Sequence, residues 1–134
     1  MELKANILRI ERLSLADGKG MRTVVFFKGC PLRCAWCSTP ESQSGQREVY
    51  YMKERCTGCG TCAEVCPNRL AECSLCGACA ERCPSEARVL CGREYSVEEI
   101  MTKITADRLF YKTTGGGATF SGGECMLQPE LLET

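Results

Sequence analysis

The chain has 134 residues, 17 acidic and 17 basic side chains, no histidine and 13 cysteines. Balanced charge leaves no global basic field for nucleic acid, the lack of histidine removes the usual general base and metal ligand, and no run approaches the roughly 20 apolar residues of a membrane helix. The opening, MELKANILRIERL, is charged throughout and has no apolar stretch of the signal-peptide kind, so the cysteines are expected to serve metal in the cytoplasm of an anaerobe, not a secreted disulfide framework.

Residues 5 to 12 read as an edge strand or lead-in, followed by a turn from Ala16 to Gly20. TVVFFK (Thr23 to Lys28) is a continuous run of β-branched and aromatic residues, the pattern of a strand buried on both faces. Directly after it comes GCPLRCAWC, with Cys30, Cys34 and Cys37 in a CxxxCxxC spacing. A four-iron cube normally takes four thiolates. Three leave one iron open, as a catalytic zinc keeps a position for its substrate; a zinc knuckle or a packed thiol cluster is the alternative. Pro40 to Gln46 reads as a polar loop and Arg47 to Met52 as a short strand.

The middle of the chain repeats itself. CTGCGTCAEVCP begins at Cys56 and CSLCGACAERCP at Cys73, each a CxxCxxCxxxCP run of the bacterial ferredoxin kind. In two-cluster ferredoxins the fourth cysteine of each run ligates the other cluster. On that pattern one cluster takes Cys56, Cys59, Cys62 and Cys83, and the second takes Cys73, Cys76, Cys79 and Cys66. A pair of zinc sites is the alternative, since tetrahedral sulfur ligation suits zinc as well. Gly58, Gly60 and Gly77 are expected to relieve backbone crowding beside the metal, and Pro67 and Pro84 to turn the chain away. The six-residue link Pro67 to Glu72 is shorter than the hairpin ferredoxins usually carry there.

Beyond the repeat, Ser96 with Glu99 three residues on reads as a capping box. Val97, Ile100, Met101 and Ile104 form the apolar stripe of a helix running to about Leu109. Gly115 to Gly117 break that pattern, Ala118 to Phe120 form a second strand, and Gln128 to Glu133 begin another helix. Cys91 and Cys125 stand outside the cluster spacings; Cys91, beside Val89 and Leu90, reads as a small hydrophobe.

CxxxCxxC resembles the signature of radical S-adenosylmethionine enzymes, and three further segments narrow the resemblance to glycyl-radical-enzyme activating enzymes, the class of pyruvate formate-lyase activase. DGKGMRT (Asp17 to Thr23) is similar to DGPGIRT, with Lys19 where that family usually has proline. CSTPES (Cys37 to Ser42) is similar to CSNPES, and GGGATFSGGE (Gly115 to Glu124) to the second barrel strand and its GGE motif; Cys125 departs from the proline or alanine common there.

The resemblance implies an α/β fold: the N-terminal part of a radical SAM partial (β/α)6 barrel with an inserted bacterial-type two-cluster ferredoxin module. Residues 1–46 would begin the barrel, 47–92 form the insert and 93–134 continue the barrel, incompletely. A full parallel barrel needs about 200 residues or more, so the chain is expected to be the N-terminal portion of a longer protein and inactive by itself; a complete small protein built around its clusters is the alternative. Two parallel strands alone would expose one edge each.

The implied cofactors are three [4Fe-4S] clusters and S-adenosylmethionine. Cys30, Cys34 and Cys37 would hold the catalytic cube. Gly122, Gly123 and Glu124 would meet the amino end of S-adenosylmethionine, while Trp36 and Ser38, flanking Cys37, would touch its adenosine side; a core aromatic is the other reading of Trp36. Reductive cleavage would give methionine and a 5′-deoxyadenosyl radical that takes a hydrogen atom from a glycine of a partner glycyl-radical enzyme. The accessory cubes would pass electrons inward from a donor such as flavodoxin or ferredoxin. No nucleic acid or membrane partner is implied. The alternatives are another radical SAM enzyme acting on a small molecule or peptide, and a ferredoxin-like electron carrier.

Overall fold

The structure, a computed structural model, describes residues 3–133. Met1, Glu2 and Thr134, which fall in the first and last expected segments, lie outside the described residues. In chain order the strands are β1 (Lys4–Ser14), β2 (Arg22–Phe27), β3 (Glu48–Tyr51), β4 (Arg88–Cys91), β5 (Arg93–Ser96) and β6 (Gly117–Gly122). The helices are α1 (Thr61–Val65), α2 (Ala78–Glu81), α3 (Val97–Thr105), α4 (Arg108–Thr114) and α5 (Pro129–Leu132). The chain divides into two compact units, one of Met1–Gln46 with Gly92–Thr134 and one of Arg47–Cys91.

The first unit is a mixed α/β unit built on a four-stranded sheet in the order β5-β1-β2-β6. β2 and β6 are parallel, Arg22 facing Gly117 through to Phe27 facing Gly122, while β1 runs antiparallel to both β2 and β5. From Thr23 to Phe27, every residue of β2 is buried, as a continuous apolar run between two covered faces requires. Val25 and Phe27 form the core with Ala5 and Ile7 of β1 and with Ile100 and Ile104 of α3. Burial of a side chain of this size contributes about 1.5–3 kcal/mol, so this patch fixes the helix on the sheet.

Three expectations need correction here. Residues 5 to 12 are not an edge strand: β1 lies inside the sheet with partners on both sides and covers the free edge of β2, while β6 remains at the edge of the sheet. The alternating charged residues of β1 misled because they are used in pairs. Arg9 lies over the Phe26 ring at 4.3 Å and reaches Glu41 at 3.3 Å. The helix from Ser96 does not run to Leu109 either. Its capping box forms as the spacing implies, but the helix ends at Thr105 and α4 restarts at Arg108. Between them sits Asp107, wholly buried, accepting hydrogen bonds from Arg12 Nε at 2.8 Å and Thr23 Oγ1 at 3.0 Å. The third correction is within Pro40 to Gln46, where Pro40–Ser42 forms a 3-10 turn.

The second unit hangs both cysteine runs between the strands of one antiparallel pair, β3 and β4, with Tyr51 opposite Arg88. The internal repeat becomes a repeated conformation. Gly60 and Gly77 take φ 78° and 81° at the start of α1 and α2, and their carbonyls accept from Ala63 at 3.0 Å and Ala80 at 2.9 Å. At Gly60 the left-handed backbone is itself a requirement for glycine, and a Cβ there would meet no protein atom within 4 Å. Among the described residues no helix is long and apolar enough to cross a membrane.

Candidate functional site

In the first unit, the parallel pairing of β2 and β6 sets the two chain motifs side by side at both ends of the strands. At the entry end, a Cβ on Gly116 would lie 1.8 Å from the Met21 carbonyl oxygen, so the triple glycine lets its backbone press against DGKGMRT. Arg22 clamps that end, its Nε donating to Thr119 Oγ1 at 2.6 Å and its Nη2 to the Ala118 carbonyl at 2.6 Å. At the exit end the chain leaves β2 into Gly29 and the CxxxCxxC loop, and leaves β6 into Gly123 and Glu124. Gly123 N–H donates to the Phe27 carbonyl at 2.8 Å and Glu124 N–H to the Gly29 carbonyl at 2.8 Å. A Cβ on Gly123 would fall 2.2 Å from the Gly29 oxygen. The GGE glycines are therefore demanded by backbone packing against the cysteine loop.

Cys30, Cys34 and Cys37 are half-buried on that loop. A turn ties Cys37 N–H to the Cys34 carbonyl at 3.1 Å, and Cys30 N–H donates to the Gln43 carbonyl at 3.0 Å. Trp36 is 85 % exposed in this chain. Ser38 is exposed beside it. Sequence alone gave no reason to single out Thr39. It is buried, and its Oγ1 donates to the Gly122 carbonyl at 3.3 Å, joining the CSTPES turn directly to the GGE strand end.

In the second unit the eight repeat cysteines separate into two groups, each round its own cavity. Cys56, Cys59, Cys62 and Cys83 line one, with Tyr51, Thr57, Ser85 and Arg88. Cys66, Cys73, Cys76 and Cys79 line the other, with Val49, Leu75 and Arg88. Each cavity thus draws three cysteines from one run and the fourth from the other. Backbone amides point at the sulfurs: Ala87 N–H to Cys83 Sγ at 3.2 Å, Leu70 N–H to Cys66 Sγ at 3.3 Å and Gly58 N–H to Cys56 Sγ at 3.4 Å.

The thiols are tuned unevenly. Hydrogen bonding with Thr61, its hydroxyl first and then its amide, holds Cys59 below the usual thiol range. Backbone amides do the same, that of Ala78 for Cys76 and that of Arg88 for Cys83. Burial pushes Cys79 up. Among the described residues no three His, Cys, Asp or Glu side chains gather at the spacing of a single metal ion, and no disulfide forms. Four thiols ringing a cavity suit a cube, whose irons sit at its corners, and thiolates are the ligands such clusters take.

Arg88 went unremarked in the sequence, where nothing marks it, yet it lines both cavities. Cys91 is buried, and Cys125 is half-buried against the core of the first unit.

A family model described as a 4Fe-4S binding domain matches residues 49–69. The choline trimethylamine-lyase activating enzyme of Oleidesulfovibrio alaskensis is 45% identical over 145 aligned positions, covering 97% of this chain and 47% of that protein. The trans-4-hydroxy-L-proline dehydratase activating enzyme of Clostridioides difficile is 46% identical over 134, covering 91% and 44%. The pyruvate formate-lyase 2-activating enzyme of Escherichia coli is 40% identical over 130, covering 95% and 39%. The chain spans about half the length of the curated relatives it matches.

Proposed function

The chain is a homologue of glycyl-radical-enzyme activating enzymes across nearly its whole length, and on that premise we propose that the protein activates a partner enzyme by using S-adenosylmethionine to create a radical on one of the partner's glycines. The observation that carries the reading is the Glu124 N–H to Gly29 carbonyl hydrogen bond at 2.8 Å, which sets GGE beside the loop of Cys30, Cys34 and Cys37. When bound there, a cluster supplies the electron that breaks a carbon–sulfur bond of S-adenosylmethionine.

The chain's own residues have separate tasks. Cys30, Cys34 and Cys37 would hold a [4Fe-4S] cluster by three thiolates, which would supply an open iron for S-adenosylmethionine. Gly122 and Gly123 bring bare backbone up to the amino end, and the half-buried Glu124 carboxylate lies close by in chain. Exposed Trp36 and Ser38 cover the adenosine side. β2 and β6 are read as the first two strands of a partial (β/α)6 barrel, begun by residues 1–46 and continued by 93–134. Residues 47–92 are read as the ferredoxin-type insert.

Two accessory [4Fe-4S] clusters in that insert bring the number to three, one held by Cys56, Cys59, Cys62 and Cys83 and the other by Cys66, Cys73, Cys76 and Cys79. The two four-cysteine cavities support this assignment. Flavodoxin or ferredoxin would supply their electrons, and thiol-rich, disulfide-free chemistry of this kind suits a reducing cytoplasm. A plain electron carrier would leave the paired strand ends and GGE without a task. The test is to incubate the full-length protein anaerobically with reductant, S-adenosylmethionine and a candidate glycyl-radical enzyme from the same organism. A glycyl radical signal in electron paramagnetic resonance is the expected result, and its absence with every cluster loaded would reject the proposal.

A further inference from the structure

Arg88 stands on β4 directly opposite Tyr51 on β3, and its guanidinium lies over the Tyr51 ring, 4.7 Å from the centroid. The same side chain lines the cavity of Cys56, Cys59, Cys62 and Cys83 and the cavity of Cys66, Cys73, Cys76 and Cys79. Its Nε is buried with no hydrogen-bond partner, a costly condition, since a buried donor left unpaired loses its hydration without replacement. A stacking role alone would leave that donor unexplained. Acceptors of the right kind are what the cavities would hold, because cluster sulfides and thiolates accept N–H hydrogen bonds and carry negative charge.

We propose that Arg88 is a shared tuning residue, one guanidinium that donates into both accessory cluster sites and sets the reduction potential of both. The proposal rests on the accessory-cluster reading above. Each cube takes up one electron on reduction and so gains one negative charge. A fixed cation and N–H donors beside it favour the reduced form, and net charge and hydrogen bonds to sulfur are among the levers that set such potentials. The planar fork matters as well as the charge, because its donors point in several directions at once, which lets one side chain serve two sites. The Tyr51 ring holds the plane in place.

The experiment is a redox titration of the full-length protein in a Cys34→Ala background, which leaves the accessory sites, with dithionite as the electron source and electron paramagnetic resonance as the readout. Iron is counted on every sample. With about eight irons retained, Arg88→Gln should shift the reduction equilibrium of both clusters at least tenfold toward the oxidised form, about 59 mV for one electron. Arg88→Lys keeps the charge but not the fork, and should fall between Gln and the parent. Unchanged potentials in Arg88→Gln overturn the proposal. So does loss of iron from either variant with the chain folded by circular dichroism, because Arg88 would then be a strut for the ligand loops. If the parent itself carries zinc or no iron in these sites, the accessory-cluster reading fails first.

Discussion

Glu124 N–H donates to the Gly29 carbonyl at 2.8 Å, although the two residues stand at opposite ends of the chain's motif set. The bond continues the parallel β2–β6 ladder one step past the strands, to where a cysteine loop begins on one side and GGE on the other. Backbone packing thereby determines which side chains can share a ligand.

Gly123→Ala tests that coupling. Its new Cβ would meet the Gly29 oxygen at 2.2 Å, so the strand end must move away from the cysteine loop. Misplacing reactants by about an ångström can cost on the order of a hundredfold in rate, and S-adenosylmethionine cleavage by the full-length variant should fall by about that factor. Iron in the accessory sites should stay at the parent level. The check is 5′-deoxyadenosine production alongside iron content.

Asp107 offers a test of the fold. Hydrogen bonding from Arg12 holds its carboxyl below the usual range, opposed by burial and helped by Thr23. A depressed carboxyl stabilises the fold above its unfolded value, about pH 3.9, and that contribution is lost as pH falls through the lower folded value. Asp107→Asn should therefore destabilise the protein at pH 7 by about 2 kcal/mol. Thermal unfolding of parent and variant should converge as the pH drops below about 4.

The two cysteines outside the clusters should be dispensable for metal. Cys91 is buried on β4 and Cys125 packs against the core of the first unit. Changing either to alanine should leave the count at about twelve irons, four for each of three cubes. A loss of about four irons from either variant would make that residue a ligand.

How far the sequence could be read depended on how local each cause was. β2 was legible because five successive buried residues leave no other pattern open. The Ser96–Glu99 capping box was legible because both halves lie within one turn. The repeat of the two cysteine runs was legible as a repeat, and it returns in the matching left-handed turns at Gly60 and Gly77. The interior position of β1 was not, because its charged residues find partners far along the chain: Arg9 with Glu41 and Arg12 with Asp107. The break between α3 and α4 was hidden for the same reason, since Asp107 looks like any polar helix residue until Arg12, 95 positions away, is brought to it. Arg88 and Thr39 carry no spacing signal, and only the folded strands show what they touch.

Product analysis in the full-length, anaerobically reconstituted protein bears most directly on the proposed division between three catalytic and eight accessory cysteines. The quantity is 5′-deoxyadenosine formed from S-adenosylmethionine with dithionite as the electron source. Parent, Cys59→Ala and Cys76→Ala should form it, the last two at a rate reduced by loss of an accessory cluster but not abolished, because the reductant can reach the catalytic cube directly, and Cys34→Ala should form none. A parent that carries about twelve irons and forms no 5′-deoxyadenosine, or a Cys34→Ala protein that forms as much as the parent, would contradict the assignment.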